Sequence, residues 1–304
     1  MKNTLLKVLA LVLAVSTVIS FAACGGKGEN ENVSETVQDI TESAASADEA
    51  EAIPETTEAA TEAETTEPET TVAETTEAPT EKETETETTE AAEKIPSTKA
   101  EIVKYYNEAI NAVKPDSKQI VENYERVSQV SELELGKAAS LAGMANKLIS
   151  NNMGEVAASA GRVMSSREDK NRYFPVEKTD WSSKLTANDV KSATCTEEND
   201  VYTITIYTED DAPSENTGMG IGHNGKAFSV VNTKAITDNA GPAKALIKNV
   251  KTGNSGCKAV IKVDKATGHV THANFYMPWG LYLTALGVDI SMVFATETDF
   301  DVKW

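Results

Sequence analysis

Apolar residues follow two different periods in the C-terminal two thirds of the chain. Thr98 and Glu101 form a capping-box pattern, and apolar residues then recur at helical spacing as far as Pro115. This spacing predicts a helix over about 99–114, which Pro115 ends. Three further segments show weaker helical periodicity: 120–127, 135–149 and 155–164. Four helices are therefore predicted before residue 165.

From about Val201 the apolar residues alternate with polar ones, which predicts β-strands. The predicted strands cover 201–208, 258–264, 270–277 and 288–304, the last with a turn near 295–299. Helices followed by such strands predict an α+β fold for residues 98–304. In this fold, N-terminal helices pack on a mainly antiparallel sheet. A curved sheet behind helices resembles the LolA-like half-barrels of envelope lipoprotein carriers.

The first 26 residues have the features of an export signal. Lys2 and Lys7 are followed by a 16-residue apolar run, shorter than the ~20 residues that a spanning helix needs. The run ends in Phe21-Ala22-Ala23-Cys24, which resembles the lipobox of bacterial lipoproteins. The resemblance implies that residues 1–23 are removed and that the Cys24 sulfur carries a diacylglycerol. The alternative is an uncleaved membrane anchor with an incidental cysteine.

Most of the net charge of −20 lies in one segment. Residues 25–97 contain 22 acidic residues, three lysines and no aromatic residue, with repeated Thr/Glu units between Glu55 and Glu90. Such a composition buries too little apolar surface to offset the entropy of the chain. We therefore predict a disordered tether over 24–97. Residues 98–304 are nearly neutral, so no basic face for a nucleic acid is expected.

Several short patterns resemble known catalytic motifs without their context. The residues 220–225 match G-x-G-x-x-G, but no strand precedes them and no helix follows, so we expect a flexible loop. Ser255–Lys258 and Lys251–Gly253 resemble penicillin-binding motifs in the wrong chain order. The histidines His269 and His272 are spaced to face opposite sides of a strand. No catalytic residue, metal site or cofactor is predicted.

Two pairs of residues leave alternatives open. Trp279 and Tyr282 lie in the apolar segment 277–282, which we read as a turn. They form either a contact for a ligand or partner, or a turn whose Trp279 fills the edge of the core. Cys195 and Cys257 form either a disulfide, which a location outside the cytoplasm permits, or two buried free thiols.

These observations predict a surface lipoprotein on the outer side of the cell membrane, with a lipid anchor, an acidic tether and one folded domain. The leading hypothesis is non-catalytic binding of an unidentified ligand or envelope partner. The rival is an envelope hydrolase acting on wall material. Because the sequence shows no nucleophile, base and orienting residue together, it favours binding.

Overall fold

The computed structural model describes residues 95–143, 146, 153–285 and 287–304. The predicted signal peptide, the cysteine predicted to be lipidated, Cys24, and nearly all of the predicted tether lie outside these residues. No helix in the described ranges is long and apolar enough to cross a membrane.

The first helix, α1, spans Lys99–Asp116 and confirms the capping-box prediction. The Thr98 hydroxyl accepts a hydrogen bond from the Glu101 N–H, and the Glu101 carboxylate accepts one from the Thr98 N–H. Pro115 lies inside the last turn, so the helix ends two residues later than predicted. One apolar face of α1 is buried in the core.

In the part of the chain that the structure describes, two short helices and ten strands follow α1. The helices are α2 (Arg167–Tyr173) and α3 (Thr233–Asn239). The strands are β1 (Gln119–Gln129), β2 (Gly154–Glu155), β3 (Arg162–Met164), β4 (Val190–Glu198), β5 (Val201–Thr208), β6 (Asp211–Ser214), β7 (Ile247–Asn254), β8 (Lys258–Asp264), β9 (Val270–Ala285) and β10 (Val288–Lys303). Four 3-10 helices, at Gly136–Leu141, Ala187–Asp189, Asn224–Lys226 and Gly241–Leu246, complete the described elements.

All ten strands belong to one sheet, and every pairing between them is antiparallel. The main path runs β2-β1-β10-β9-β8-β5-β4, while β3 pairs with β1, and β7 joins β6 to β9. The predicted antiparallel sheet of the α+β fold is therefore confirmed. Helices contribute less than expected.

The predicted alternation identifies the buried face of the sheet correctly. In β5 the buried residues are Tyr202, Ile204 and Ile206, and β8, β9 and β10 continue the same side. We call this side, which packs against α1, the inner face, and the opposite side the outer face. The buried residues on β8, β9 and β10 include Ala259, Ile261, Val263, Phe275, Val288, Ile290, Met292, Phe294, Phe300 and Val302.

Two predicted helices are wrong. Residues 120–127 belong to β1, whose Ile120 and Val127 pair with β10 across the sheet. The β-branched residues that weakened this helix prediction suit a strand. Residues 155–164 contribute to β2 and β3, both paired with β1. The predicted helix 135–149 begins as the 3-10 helix Gly136–Leu141, and most of its remainder lies outside the described residues.

Both turns predicted in the C-terminal third are also wrong. β10 continues through 295–299, so Phe294 and Phe300 lie on one uninterrupted strand. The segment 277–282 lies within β9. β9 and β10 pair with each other along nearly their whole length, from Val288↔Ala285 to Asp301↔His272. Long cross-strand pairing overrides the local turn preference of Pro278 and Gly280.

Candidate functional site

Trp279 and Tyr282 lie on opposite faces of β9, because side chains alternate along a strand. Trp279 is buried at the inner face, with its ring centroid 4.8 Å from that of Phe294. Its Nε1 donates a hydrogen bond of 3.4 Å to Thr296. Trp279 is therefore a core residue, as the second alternative held. Tyr282 is half-buried on the outer face.

β9 contains Pro278 at a point where its neighbouring strand changes. β8 ends its pairing at Lys258↔Tyr276, and β7 begins at Asn254↔Trp279. Proline has no N–H to donate, so a gap between two partner strands accommodates it. The Pro278 carbonyl still accepts hydrogen bonds, from Asn254 Nδ2 at 3.2 Å. This junction keeps Tyr282 on a continuous strand.

An open pocket of about 310 Å³ lies beside Tyr282. We call it the Tyr282 pocket. It occupies the end of the sheet at which β9 and β10 are joined, and the segment before the first 3-10 helix forms one wall. Its lining residues are Glu134, Gly136, Asn249, Lys251, Tyr282, Leu283, Thr284, Asp289, Ile290 and Ser291.

Glycine at position 280 lets the Tyr282 ring lie flat on the strand. A Cβ at Gly280 would stand 2.7 Å from a carbon of the Tyr282 ring, so no other residue fits beneath it. A hydrogen bond joins β10 to the segment before the first 3-10 helix at the pocket. The Ser291 hydroxyl donates it to the Glu134 carboxylate at 3.1 Å. The Thr284 hydroxyl donates one of 2.9 Å to Asp289. One aromatic face therefore stands among carboxylate, hydroxyl and amide groups.

A second polar centre lies in the G-x-G-x-x-G segment. The His223 Nδ1 is 2.9 Å from Oδ1 of the buried Asp189, and Lys226 Nζ is 2.6 Å from the same oxygen. A carboxylate only accepts hydrogen bonds, so the His223 Nδ1 carries a proton and donates it in a hydrogen bond to Asp189. The His223 side chain is 40% exposed. We call His223, Asp189 and Lys226 the histidine centre.

Burial opposes ionisation of Asp189. Even so, hydrogen bonds from Lys226, Thr186 and His223 together hold its pKa well below the usual range. The Thr186 N–H and hydroxyl donate to the second carboxylate oxygen at 2.8 and 2.7 Å. Asp189 is therefore a fixed negative charge that orients the imidazole.

The glycines of this segment wrap the chain around the Asp211 carboxylate. Its oxygens accept hydrogen bonds of 2.8 Å from the backbone N–H groups of His223 and Asn224. A Cβ at Gly222, where φ is +67°, would come within 2.5 Å of Asp211. The segment forms a loop, as predicted, with neither a preceding strand nor a long following helix. The dinucleotide-binding geometry is accordingly not formed.

A third polar centre lies on the inner face. β1 contains a bulge between Glu122 and Tyr124, so Glu122 pairs with Phe300 and Glu125 pairs with Thr298. The extra residue turns both carboxyls to the inner side, although they are three residues apart. Each of the two is at least 95% buried. With Glu177 and Arg162 they form a group that we call the carboxyl centre.

The carboxyl centre carries more acids than cations. Arg162 Nη1 donates a 2.8 Å hydrogen bond to Glu122 Oε2. Burial raises the pKa of Glu122 to about 7 against the opposing effect of Arg162, and raises that of Glu177 to about 7. Burial, together with the charges of Glu122 and Glu177, raises the pKa of Glu125 to about 8. No described residue donates a hydrogen bond to the Glu125 carboxyl.

Cys195 and Cys257 are free thiols in this structure. Cys195 on β4 lies opposite Ile204 on β5, whereas Cys257 comes just before β8, near Thr208. β5 separates them by two strand spacings of about 4.8 Å each, and they are offset along the strands as well. A disulfide needs Cα atoms within about 7 Å. Of the two alternatives, the structure therefore contains the free thiols, with Cys257 fully buried.

Sequence patterns missed the histidine and carboxyl centres. Asp189 and His223 are 34 residues apart, and the Glu122–Glu125 spacing is typical of an exposed helix face. Within the described ranges, no group of three or more His, Cys, Asp or Glu residues is placed to hold a metal ion. No protein-family model, no curated protein and no solved structure matches this chain.

Proposed function

We propose that this protein is a surface lipoprotein whose folded domain binds a small polar ligand with one apolar face, such as a sugar. The Tyr282 pocket carries the proposal. Its volume of about 310 Å³ is at the lower end of the range for ligand sites. The half-buried Tyr282 ring beside Glu134, Asp289 and Asn249 offers both stacking and hydrogen bonds to such a ligand. No nucleic acid and no cofactor enter this proposal.

A panel of monosaccharides, amino sugars and short wall glycans tests the ligand class. The mature chain with Cys24→Ser, made without residues 1–23, stays soluble and is titrated by calorimetry. We expect binding by one class of sugar and at least a tenfold loss with Tyr282→Ala, because stacking on the ring is removed. Tyr276→Ala is the matched control, since Tyr276 is also half-buried on the outer face but does not line the pocket. Equal binding by both variants would reject the pocket.

The lipid anchor is the second part of the proposal, and the resemblance of residues 21–24 to a lipobox supports it. Diacylglycerol transfer needs a thiol, so Cys24→Ser should leave an unprocessed precursor in the producing cell. Mass spectrometry of the N-terminal peptide measures this. Acylation and processing of the variant at residue 24 would refute the proposed anchor.

We further propose that residues 24–97 are a disordered spacer and that the domain is a half-barrel like those of envelope lipoprotein carriers. The acidic, aromatic-free composition supports the spacer, and the antiparallel sheet with α1 against it supports the fold. Limited proteolysis should leave a resistant fragment beginning near Ser97. Slow amide exchange within residues 30–90 would contradict the spacer.

The rival hydrolase has one observation in its favour, the histidine centre. Asp189 orients His223, and an imidazole held in this way can take a proton from water. No serine, threonine or cysteine side chain in the described ranges hydrogen-bonds His223. If the centre is catalytic, the protein should hydrolyse wall fragments or simple esters, and His223→Gln should abolish turnover while leaving sugar binding unchanged. Activity that survives His223→Gln would exclude this centre.

A further inference from the structure

β4 ends the main path of the sheet, and no strand among the described residues pairs with its outer edge. On this edge the backbone of Val190 accepts a hydrogen bond from Lys99 Nζ at 2.7 Å. Between Lys191 and Glu198, no described residue donates to or accepts from the outer edge. An unpaired edge of this length is a template for another strand. It can therefore accept a β-strand from a partner.

The sequence of β4 is self-complementary about its centre. The strand has nine residues, so Thr194 is the middle one. If two copies pair antiparallel about Thr194, the residues from Lys191 to Glu197 of each strand find a partner, whereas the Val190 carbonyl is already bonded to Lys99. In this register Lys191 faces Glu197 twice, and Ser192 faces Thr196 twice. The register with the greatest overlap is thus also the one that joins opposite charges.

The local structure leaves Lys191 available for such a contact. A bulge in β4 pairs Val190 with Thr208 and Ser192 with Tyr207, so Lys191 has no cross-strand partner in its own sheet. Lys191 is exposed. Glu197 is 2.5 Å from Lys265 on its own chain, which fixes the carboxylate at the edge. Charged residues on an edge oppose random strand pairing, whereas this register satisfies them.

We propose that the β4 edge is a self-association surface, on which a second copy of this chain adds its own β4 and joins the two sheets through a two-fold axis at Thr194. The partner is a second copy because Lys191 and Glu197, two of the three charged residues of β4, complement each other under this symmetry. The contact is small, so a dimer dissociating in the micromolar range is expected. This surface is separate from the Tyr282 pocket, which β7, β9 and β10 line.

Charge reversal and exchange test the proposal on the mature chain with Cys24→Ser. Sedimentation equilibrium should show a concentration-dependent dimer. Lys191→Glu should weaken it about tenfold, because two attractive pairs become repulsive. Adding Glu197→Lys together with Lys265→Glu, which keeps an ion pair between positions 197 and 265 of each chain, should restore it. Lys262→Glu, at an exposed lysine on the interior strand β8, changes the charge equally and should have no effect.

Cysteine cross-linking tests the register in a Cys195→Ser background. Thr194→Cys should form a disulfide dimer on mild oxidation, because the two copies of residue 194 face each other. Ser192→Cys should not, because its two copies would be about 13 Å apart along the strands. A monomer at high concentration, or a dimer indifferent to Lys191→Glu, overturns the proposal and leaves the edge to a strand of another protein. Cross-linking through residue 192 and not 194 overturns the register.

Discussion

The two halves of the sheet's inner face bury different chemistry. Around β5, β8 and β9 the face is apolar, with Ile204, Ile261 and Phe275 packed together. Around β1 the same face carries Glu122 and Glu125, equally buried. Burial of the apolar half is favourable at every pH, whereas burial of the charged half depends on the protonation of its carboxyls. The inserted residue in β1 brings Glu125 to the same face as Glu122 and so places a second carboxyl in this half of the core.

The apolar half should show the largest loss of stability. Phe275 makes edge contacts with Phe174, Phe228 and Phe300, with ring centroids 6.0 to 6.2 Å apart. Phe275→Ala leaves a cavity among these rings, and we expect the free energy of unfolding to fall by about 3–5 kcal/mol. Urea denaturation at pH 5 and pH 7 measures the loss, which should be the same at both.

The adjacent Tyr276 is the control for this comparison, because it lies on the outer face. Tyr276→Ala should cost less than about 1 kcal/mol. A loss for Phe275→Ala that changes strongly with pH would show that the two halves of the face are not independent.

The charged half should make the wild-type domain less stable as the pH rises. Burial raises the folded-state pKa values of Glu122, Glu125 and Glu177 from the usual 4.5 to about 7, 8 and 7. The folded chain therefore holds protons that the unfolded chain has lost, so the stability is full below about pH 4.5 and is lost through pH 7–8. We expect a fall on the order of 2–4 kcal/mol between pH 5 and pH 7.

The buried Lys114 opposes this trend only above pH 7. Burial lowers its pKa to about 7, so its effect is to favour the folded state as the pH rises from 7 towards 10. Between pH 5 and pH 7, the change in stability therefore reports the titration of the carboxyls and not that of Lys114. Glu125→Gln should flatten the pH dependence within it. A wild-type urea midpoint that rises between pH 5 and pH 7 would contradict the charged interpretation of this half.

Arg162→Met should have a smaller effect that also depends on pH. Arg162 is the cation bonded to Glu122, and its guanidinium lies 4.1 Å from the centroid of the Tyr173 ring. Methionine keeps part of the packing but leaves Glu122 unpaired. We expect a loss of about 1–3 kcal/mol at pH 7.5, when Glu122 is largely ionised, and much less at pH 5.

The double variant Arg162→Met with Glu122→Gln separates charge from packing, because no buried carboxylate remains at position 122. It should recover most of the loss at pH 7.5. If it is no more stable than Arg162→Met alone, the pair matters through its shape and its hydrogen bonds, and the contrast with the apolar half weakens.

The sequence predicted the apolar half of the domain and missed the charged half. Alternation in Tyr202, Ile204 and Ile206 identified the inner face of β5 because each residue of that face is apolar. In β1 the bulge breaks the period of two, and two glutamates then occupy core positions, so the pattern resembled a helix. A bulge and its partner strand are separated by about 175 residues, and local periodicity carries no information on that pairing. Tyr282 was identified as a candidate contact, but its pocket depends on segments distant in the chain.

We expect the smallest change in the free energy of unfolding for charges on the outer face. They are the reference for the apolar and the charged halves of the inner face. His272 lies 3.2 Å from Asp299 through Nε2 and 3.0 Å from Asp301 through Nδ1. Asp301 is 56% exposed and Asp299 13%, against 2% for Glu122, so water and salt screen this network more than the carboxyl centre. His272→Gln should therefore change the free energy of unfolding by less than about 1 kcal/mol, and 0.5 M NaCl should reduce the difference further. Urea denaturation with and without salt measures both quantities. A loss as large as that of Arg162→Met would mean that burial is not what distinguishes the charges of the inner face from those of the outer face.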